Sequence, residues 1–378
     1  MALSLKLLVP LLFGSLLSAL VWHHIFPSLI LVGNVTKDEV DGAVSLGGAV
    51  SYAAAVASSL GIRTCIITAA DDTVDLSWLR SNHLLHVIPS DSTLTFEHTY
   101  TFWGNNRKLR VKAQPSMILS ASHVPWRCRF ADVLLLGPLT QNDIDVESFN
   151  KFSLLWGRKP KHIGLMAQGL QRIVDPTTGQ VSQLDEPSQS LLAGLGPRTS
   201  LFLSDIETDS WRNGTVVEVA QKADRMLITR GRHGADEHVK LKVHRRPPFP
   251  IDRVVDTNGA GDCFATGYSI ALAAGHDAPS AVANWAGAMA VSQPQHCKPY
   301  CVADAIKERK QLMPKSSKDF LTTAVSRLME LVPTAATIGL LLPVHKLLKP
   351  TMAYLHRVLL TATATGGAGV PSCVKKMD

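Results

Sequence analysis

Cysteine is scarce in this 378-residue chain and poorly spaced for a metal. Its six cysteines (Cys65, Cys128, Cys263, Cys297, Cys301 and Cys373) include no C-x-x-C pair, which argues against a zinc knuckle. Cys297 and Cys301 lie close together behind His296; the stretch reads as a metal chelate, a redox pair or two ordinary thiols. Charge is also modest, with 18% of residues charged against 46% hydrophobic and a net charge of +7. Basic residues gather at Arg230–Arg232, Lys240–Arg246 and Lys307–Lys318, without interleaved aromatics. That pattern argues against a nucleic-acid partner and for solvated faces, while a basic balance suits a polyanionic small ligand. A comfortable membrane span is missing too. The apolar run Leu7–Trp22 has 16 residues and contains Pro10 and Gly14, short of the roughly 20 that a spanning helix needs.

The ends differ from the middle. Behind a lone Lys6, the run resembles a signal-peptide core or signal anchor, although no A-x-A cleavage pattern follows. A strand-like segment, Ser28–Val32, begins almost at once, so residues 1–27 read as an apolar leader or membrane anchor. If retained, residues 7–22 would tether a cytoplasmic domain to a bilayer. Past Met313, the apolar stretches Phe320–Leu342 and Leu347–Leu360 are broken by Pro333, Pro343 and Pro350, and residues 314–378 read as an apolar, basic extension. Asn34-Val35-Thr36 and Asn213-Gly214-Thr215 match a glycosylation sequon.

Between the ends, short apolar runs alternate with helical stretches. Leu29–Val32, Cys65–Thr68, Val133–Gly137, His162–Met166, Ser200–Leu203 and Arg225–Thr229 are strand candidates, with a small-residue helix at Val50–Leu60 and another at Ala281–Val291. This rhythm predicts an α/β fold in three layers, a mostly parallel sheet with helices on both faces. Ligands in such folds sit beyond the carboxyl ends of the strands. His86–Pro89, Thr93–Trp103 and Leu109–Lys112 alternate polar with apolar instead, around a hairpin turn at Gly104-Asn105-Asn106.

The most informative stretch is Val254-Val255-Asp256-Thr257-Asn258-Gly259-Ala260-Gly261-Asp262. The pattern predicts an apolar strand end that runs into a glycine turn, and a helical pattern from Phe264 to about Ala274 follows. Glycines let main-chain N–H groups approach an anion, and a helix N-terminus adds positive potential. Asp262, at the rim, is placed to take a proton from a group beside that anion. The combination suits phosphoryl transfer to a hydroxyl.

The string D-T-x-G-A-G-D resembles the signature of ribokinase-like (PfkB family) carbohydrate kinases, and further segments extend the resemblance over about Leu29–Lys310. It implies a kinase domain at residues 28–313, with a small β-sheet lid built from strands at about 35–45 and 86–115. It also implies ATP as donor and Mg²⁺ as cofactor. Gly259, Ala260 and Gly261 would form the anion hole and Asp262 would be the base. Asp38, Gly47, Gly48, Tyr52, Glu97 and Gln168 would line the acceptor site. Thr229, Gly231, Gly234, Asp256, Thr257 and Asn284 would hold ATP, and Glu207 would organise the metal through water if Ser204 takes the place of the family's asparagine. Tyr52 departs from the family, standing where the sugar kinases place a sugar-binding asparagine, as Met166 departs from an acid. Thr95–Tyr100, and Gln168 through Arg172 to Asp175 and Gly179, resemble plant-type myo-inositol kinases. The implied activity is ATP-dependent phosphorylation of a small polyol, with myo-inositol the leading acceptor, by a monomer or a homodimer joined through the lid. A nucleoside or sugar kinase of the same fold is the first alternative. A catalytically weak ligand-binding or scaffold relative is the second, although a scaffold has no need of Asp262.

Overall fold

The computed structural model describes residues 26–100, 107–150 and 159–315, all within one compact unit spanning Met1–Lys318. In chain order its strands are β1 (Leu29–Val32), β2 (Thr36–Val40), β3 (Ala43–Gly47), β4 (Thr64–Ala70), β5 (Leu84–Pro89), β6 (Leu94–Tyr100), β7 (Arg107–Ala113), β8 (Val133–Leu136), β9 (His162–Met166), β10 (Arg172–Val174), β11 (Val181–Gln183), β12 (Thr199–Ser204), β13 (Arg225–Thr229), β14 (Ala235–Val239) and β15 (Lys242–Arg246). The large sheet has the order β15-β14-β13-β12-β9-β8-β1-β4-β5. From β13 to β5 every neighbouring pair is parallel, and β14 and β15 extend it as an antiparallel hairpin. Lys and Arg on exposed β15 make this edge a poor template for another strand.

The central strands are continuous aliphatic runs because both faces are covered. In β1, Ile30 and Val32 pack into one hydrophobic cluster, while Leu29 and Leu31 pack into another on the opposite face. The second face is closed by helix Ala49–Leu60 and helix Ala260–Ala273. Alanines on the first helix permit this close approach, and behind it helices Pro279–Val291 and Tyr300–Glu308 complete a third cluster around Trp285.

A separate four-stranded sheet, β3-β2-β6-β7, forms the lid. Its composition corrects the expectation for residues 86–115. Leu84–Pro89 pairs in parallel with β4 as the edge of the large sheet, so the second part of the lid starts at β6. The alternation that suggested a lid strand there is that of a half-buried edge. A second correction concerns the segment before the glycine turn, which is not a strand. Pro247, Pro248 and Pro250 supply no N–H for a ladder, and the segment runs past β15 as an extended loop with Val254 and Val255 exposed.

Cys65 and Cys128 form a disulfide between β4 and the turn at Trp126–Phe130, and Cys297 is bonded to Cys301. Among the described residues no cluster of His, Cys, Asp and Glu is placed to hold a metal. Asn34 is fully buried and its side chain accepts from Ala69 N, so this sequon serves the fold, whereas Asn213 is exposed. The run at 7–22, the Gly104-Asn105-Asn106 turn and most of 314–378 lie outside the described residues. Among those described, no helix is long and apolar enough to cross a membrane.

Candidate active site

The carboxyl ends of β1, β9, β12 and β13 converge on a cavity of about 390 Å³ roofed by the lid. Thr36 and Asp38 reach it after β1, Met166 and Gln168 at β9, Ser204 and Glu207 after β12, and Thr229 and Gly231 after β13. Opposite them stands the glycine turn. Gly259 has a left-handed φ of 76° and forms the N-cap of helix Ala260–Ala273. A Cβ there would lie 2.2 Å from Tyr52 Cδ1, so glycine is required both by conformation and by the ring beneath it. A Cβ on Gly261 would meet nothing within 4 Å, because this residue faces open space. First-turn amides of a helix have no acceptor inside it. The Ala260 amide reaches Thr257 O at only 3.3 Å. Unused donors and the helix dipole thus face the cavity together.

Asp262 lies in that first turn, 8% exposed and in the wall of the same cavity. Burial pushes its carboxyl up to about 7; the Arg172 guanidinium opposes the rise, and Asp38 and Glu207 add to it. Gln168 Nε2 donates to Asp262 Oδ1 at 3.4 Å, while Gln168 Oε1 accepts from Arg172 Nη2 at 3.0 Å. Arg172 is itself held by Leu139 O at 3.0 Å and lies over the Phe96 ring. An acid with this pKa is poised to accept a proton near neutrality.

On the lid side, Asp38 accepts from Thr36 Oγ1 at 2.7 Å and from Asn258 Nδ2 at 3.3 Å. Gly47 does not line the cavity; a Cβ there would strike the Asp38 carboxylate at 2.2 Å, so its part is to leave room for that group. Gly48 and Tyr52 do line it, and burial followed by the Asp38 charge holds the Tyr52 hydroxyl well above the ordinary tyrosine range. Glu97 is a correction. Alternation along β6 sends it to the far side of the lid, 3.8 Å from Arg110, while Phe96 and His98 face inward. His98 is 5% exposed, neither ring nitrogen has a hydrogen-bond partner, and Nε2 stands 3.8 Å from Asp38 Oδ1. The segment Asp175–Gly179 is also removed from the cavity. It turns the β10–β11 hairpin, whose Gly179 O accepts from Val111 N of the lid at 2.8 Å.

A second cavity of about 470 Å³ adjoins the first through Thr229, Gly231, Thr257, Ala260, Gly261 and Phe264. Phe249, Ile251, Ala288 and Val291 give it apolar walls, and Gly234 and Asn284 lie at its margin. Asn284 Nδ2 is already engaged with Pro247 O at 2.7 Å. Arg230 is tied to Asp236 at 2.6 Å and does not line this cavity, whereas Arg232 and Arg253 do. Asp256 lines neither cavity; its carboxylate is bound within the protein by Lys298. Glu207 lines the first cavity but also closes a capping box with Ser204, whose N–H and hydroxyl both donate to Oε2. One free carboxylate oxygen fits a Mg²⁺ that keeps its waters and leans on phosphate, and does not fit a direct protein cage.

Residues 201–300 match the family model described as pfkB family carbohydrate kinase. An adenosine kinase from Schizosaccharomyces pombe is 32% identical over 90 residues, 23% of this chain; the chain thus spans about a quarter (24%) of the length of that curated relative. Among solved structures, a sulfate complex of a pyrophosphate-dependent kinase in the ribokinase family aligns with a TM-score of 0.57, at 16% identity, over 70% of this chain and 96% of that one. The fold is ribokinase-like. The ribokinase-like fold is shared equally by a pyrophosphate-dependent kinase complexed with a pyrophosphate analog and myo-inositol (TM-score 0.56, 16% identity, 74% of this chain and 99% of that one) and by the adenosine kinase from Sinorhizobium meliloti (TM-score 0.56, 14% identity, 75% and 99%). Phe96, His98, Arg172 and Asn258 also line the first cavity; they lie within the segments that carry the resemblance, which gave them no site role, and the inward parity of β6 was the signal available for the first two.

Proposed function

We propose that residues 28–313 catalyse transfer of the γ-phosphoryl group of ATP to a hydroxyl of a small polyol, with Asp262 as general base. The observation that carries this reading is one cavity wall holding both the first-turn amides at Gly259–Gly261 and a buried carboxyl with a pKa of about 7. Asp262 would accept the hydroxyl proton as the oxygen attacks, and Gln168 would hold its carboxylate in orientation. The amides and the helix end would stabilise charge on the transferred group. Mg²⁺ bound to the phosphates would neutralise further charge, with Glu207 ordering its waters. Asp38, His98 and Arg172 would orient the acceptor, against Phe96 and Met166.

ATP is favoured over pyrophosphate as donor by the second, apolar cavity beside the turn, which a diphosphate would leave unfilled. Inositol is favoured as acceptor by Tyr52, which replaces an amide ligand of the sugar kinases with a ring packed on Gly259, and by the kinase of this fold complexed with myo-inositol. A nucleoside acceptor is the second reading, supported by the curated adenosine kinase match. Full-length protein assayed for ADP or phosphate release, with ATP or pyrophosphate against inositols, ribose, fructose and adenosine, tests all of this. ATP turnover that is highest with an inositol is expected. Preference for adenosine would move the acceptor to the second reading, and no turnover with any pair would overturn the proposal.

A further inference from the structure

Lys298 is a buried cation outside both cavity walls, with its side chain fully covered. An ammonium group has three protons to donate, and here three oxygens receive them: Asp256 O and Asp256 Oδ2 at 2.9 Å each, and Asn258 O at 2.8 Å. Burying an ammonium is costly unless it is paired and fully hydrogen-bonded, and this one is both. Two of its partners are main-chain carbonyls of the turn that enters Gly259. In a trans peptide the carbonyl and the next residue's N–H point in opposite directions. Drawing the carbonyls of Asp256 and Asn258 toward Lys298 therefore turns the N–H groups of Thr257 and Gly259 away from it, and both of these residues line the first cavity. Asn258, held this way, sends its side chain to Asp38 Oδ2 and to the Tyr52 hydroxyl, each at 3.3 Å.

We propose that Lys298 is a positioning residue, a built-in monovalent cation that orients the peptide planes of Asp256–Gly259 so that the turn presents its amides to an anion. The inference rests on the phosphoryl-transfer reading for its consequence in turnover, but its geometry bears on anion binding alone. Three oxygens converging on one point repel one another when the charge is removed, and the gap left by a truncated side chain has the chemistry to take a small cation.

The test compares full-length wild type with Lys298→Met, which keeps the volume, and Lys298→Ala, which opens the gap. Calorimetry reads pyrophosphate and ATP binding, and ADP release reads turnover. Lys298→Met is expected to bind either anion at least tenfold more weakly. Lys298→Ala is expected to show the same loss, to regain at least fivefold with ammonium or potassium ions, and to regain nothing with tetramethylammonium; wild type is expected to be indifferent to all three. Should Lys298→Ala unfold in plain buffer, a melting transition restored by ammonium and not by tetramethylammonium supports the proposal, and no restoration overturns it. Unchanged anion affinity in folded Lys298→Met, or a loss in folded Lys298→Ala that no small cation reverses, also overturns it. Absence of turnover in wild type would defeat the kinase reading while leaving the binding comparison intact.

Discussion

Asp262 owes its character to its surroundings. An exposed aspartate ionises near 3.9 and would be a weak base at neutral pH; burial beneath the lid raises this one to about 7, despite the Arg172 guanidinium. Only the ionised form can accept the hydroxyl proton. The value of kcat/KM is therefore expected to rise about tenfold per pH unit on the acid side and to level off above about 7. A pH–rate profile over 5 to 9 checks this, and a flat profile through 7 would remove Asp262 from the base role. The identity of this acid was legible in the sequence because it follows two glycines at fixed spacing. His98 was not. Its inward direction depends on the parity of β6, and the resemblance pointed to Glu97, one residue away and on the opposite face. Lys298 was less legible still, since it meets Asp256 across 42 residues of sequence.

At the scale of elements, the turn and helix Ala260–Ala273 act as one device. Gly259 supplies a backbone angle that other residues adopt at a cost, and it also lets Tyr52 lie flat beneath the turn. Gly259→Ala is expected to lose at least about 2 kcal/mol of stability, from left-handed strain plus overpacking, and to weaken ATP binding at least tenfold. Chemical denaturation and calorimetry measure the two effects; wild-type values for both would show that the turn has slack. The parallel strands and the flanking helices were readable from aliphatic runs and small-residue spacing. The errors fell where local pattern is ambiguous. β5 alternates like a lid strand because it is an edge of the large sheet, and Val254-Val255 looks like a strand end although the prolines before it cannot support a ladder.

Over the whole molecule, the sheet brings loops from β1, β9, β12 and β13 to one place, and the chain returns more than 200 residues after Asp38 to set the glycine turn against them. The lid is not an independent decoration. Asp38 on β2 is reached by Asn258 from the turn, and the β10–β11 hairpin docks on β7, so lid, turn and sheet share one hydrogen-bonded frame. Such long-range closure carries no local sequence signal, which is why the glycine turn and Asp262 were readable by motif while the exclusion of Gly47, Glu97 and Asp256 from the cavity was not. The most direct test of the account is Asp262→Asn in the full chain, with ATP affinity measured by calorimetry and phosphoryl transfer to the best acceptor measured in parallel. ATP affinity is expected to stay within a few fold of wild type while turnover falls by roughly 10²–10⁴. Turnover close to wild type with ATP still bound would contradict the account.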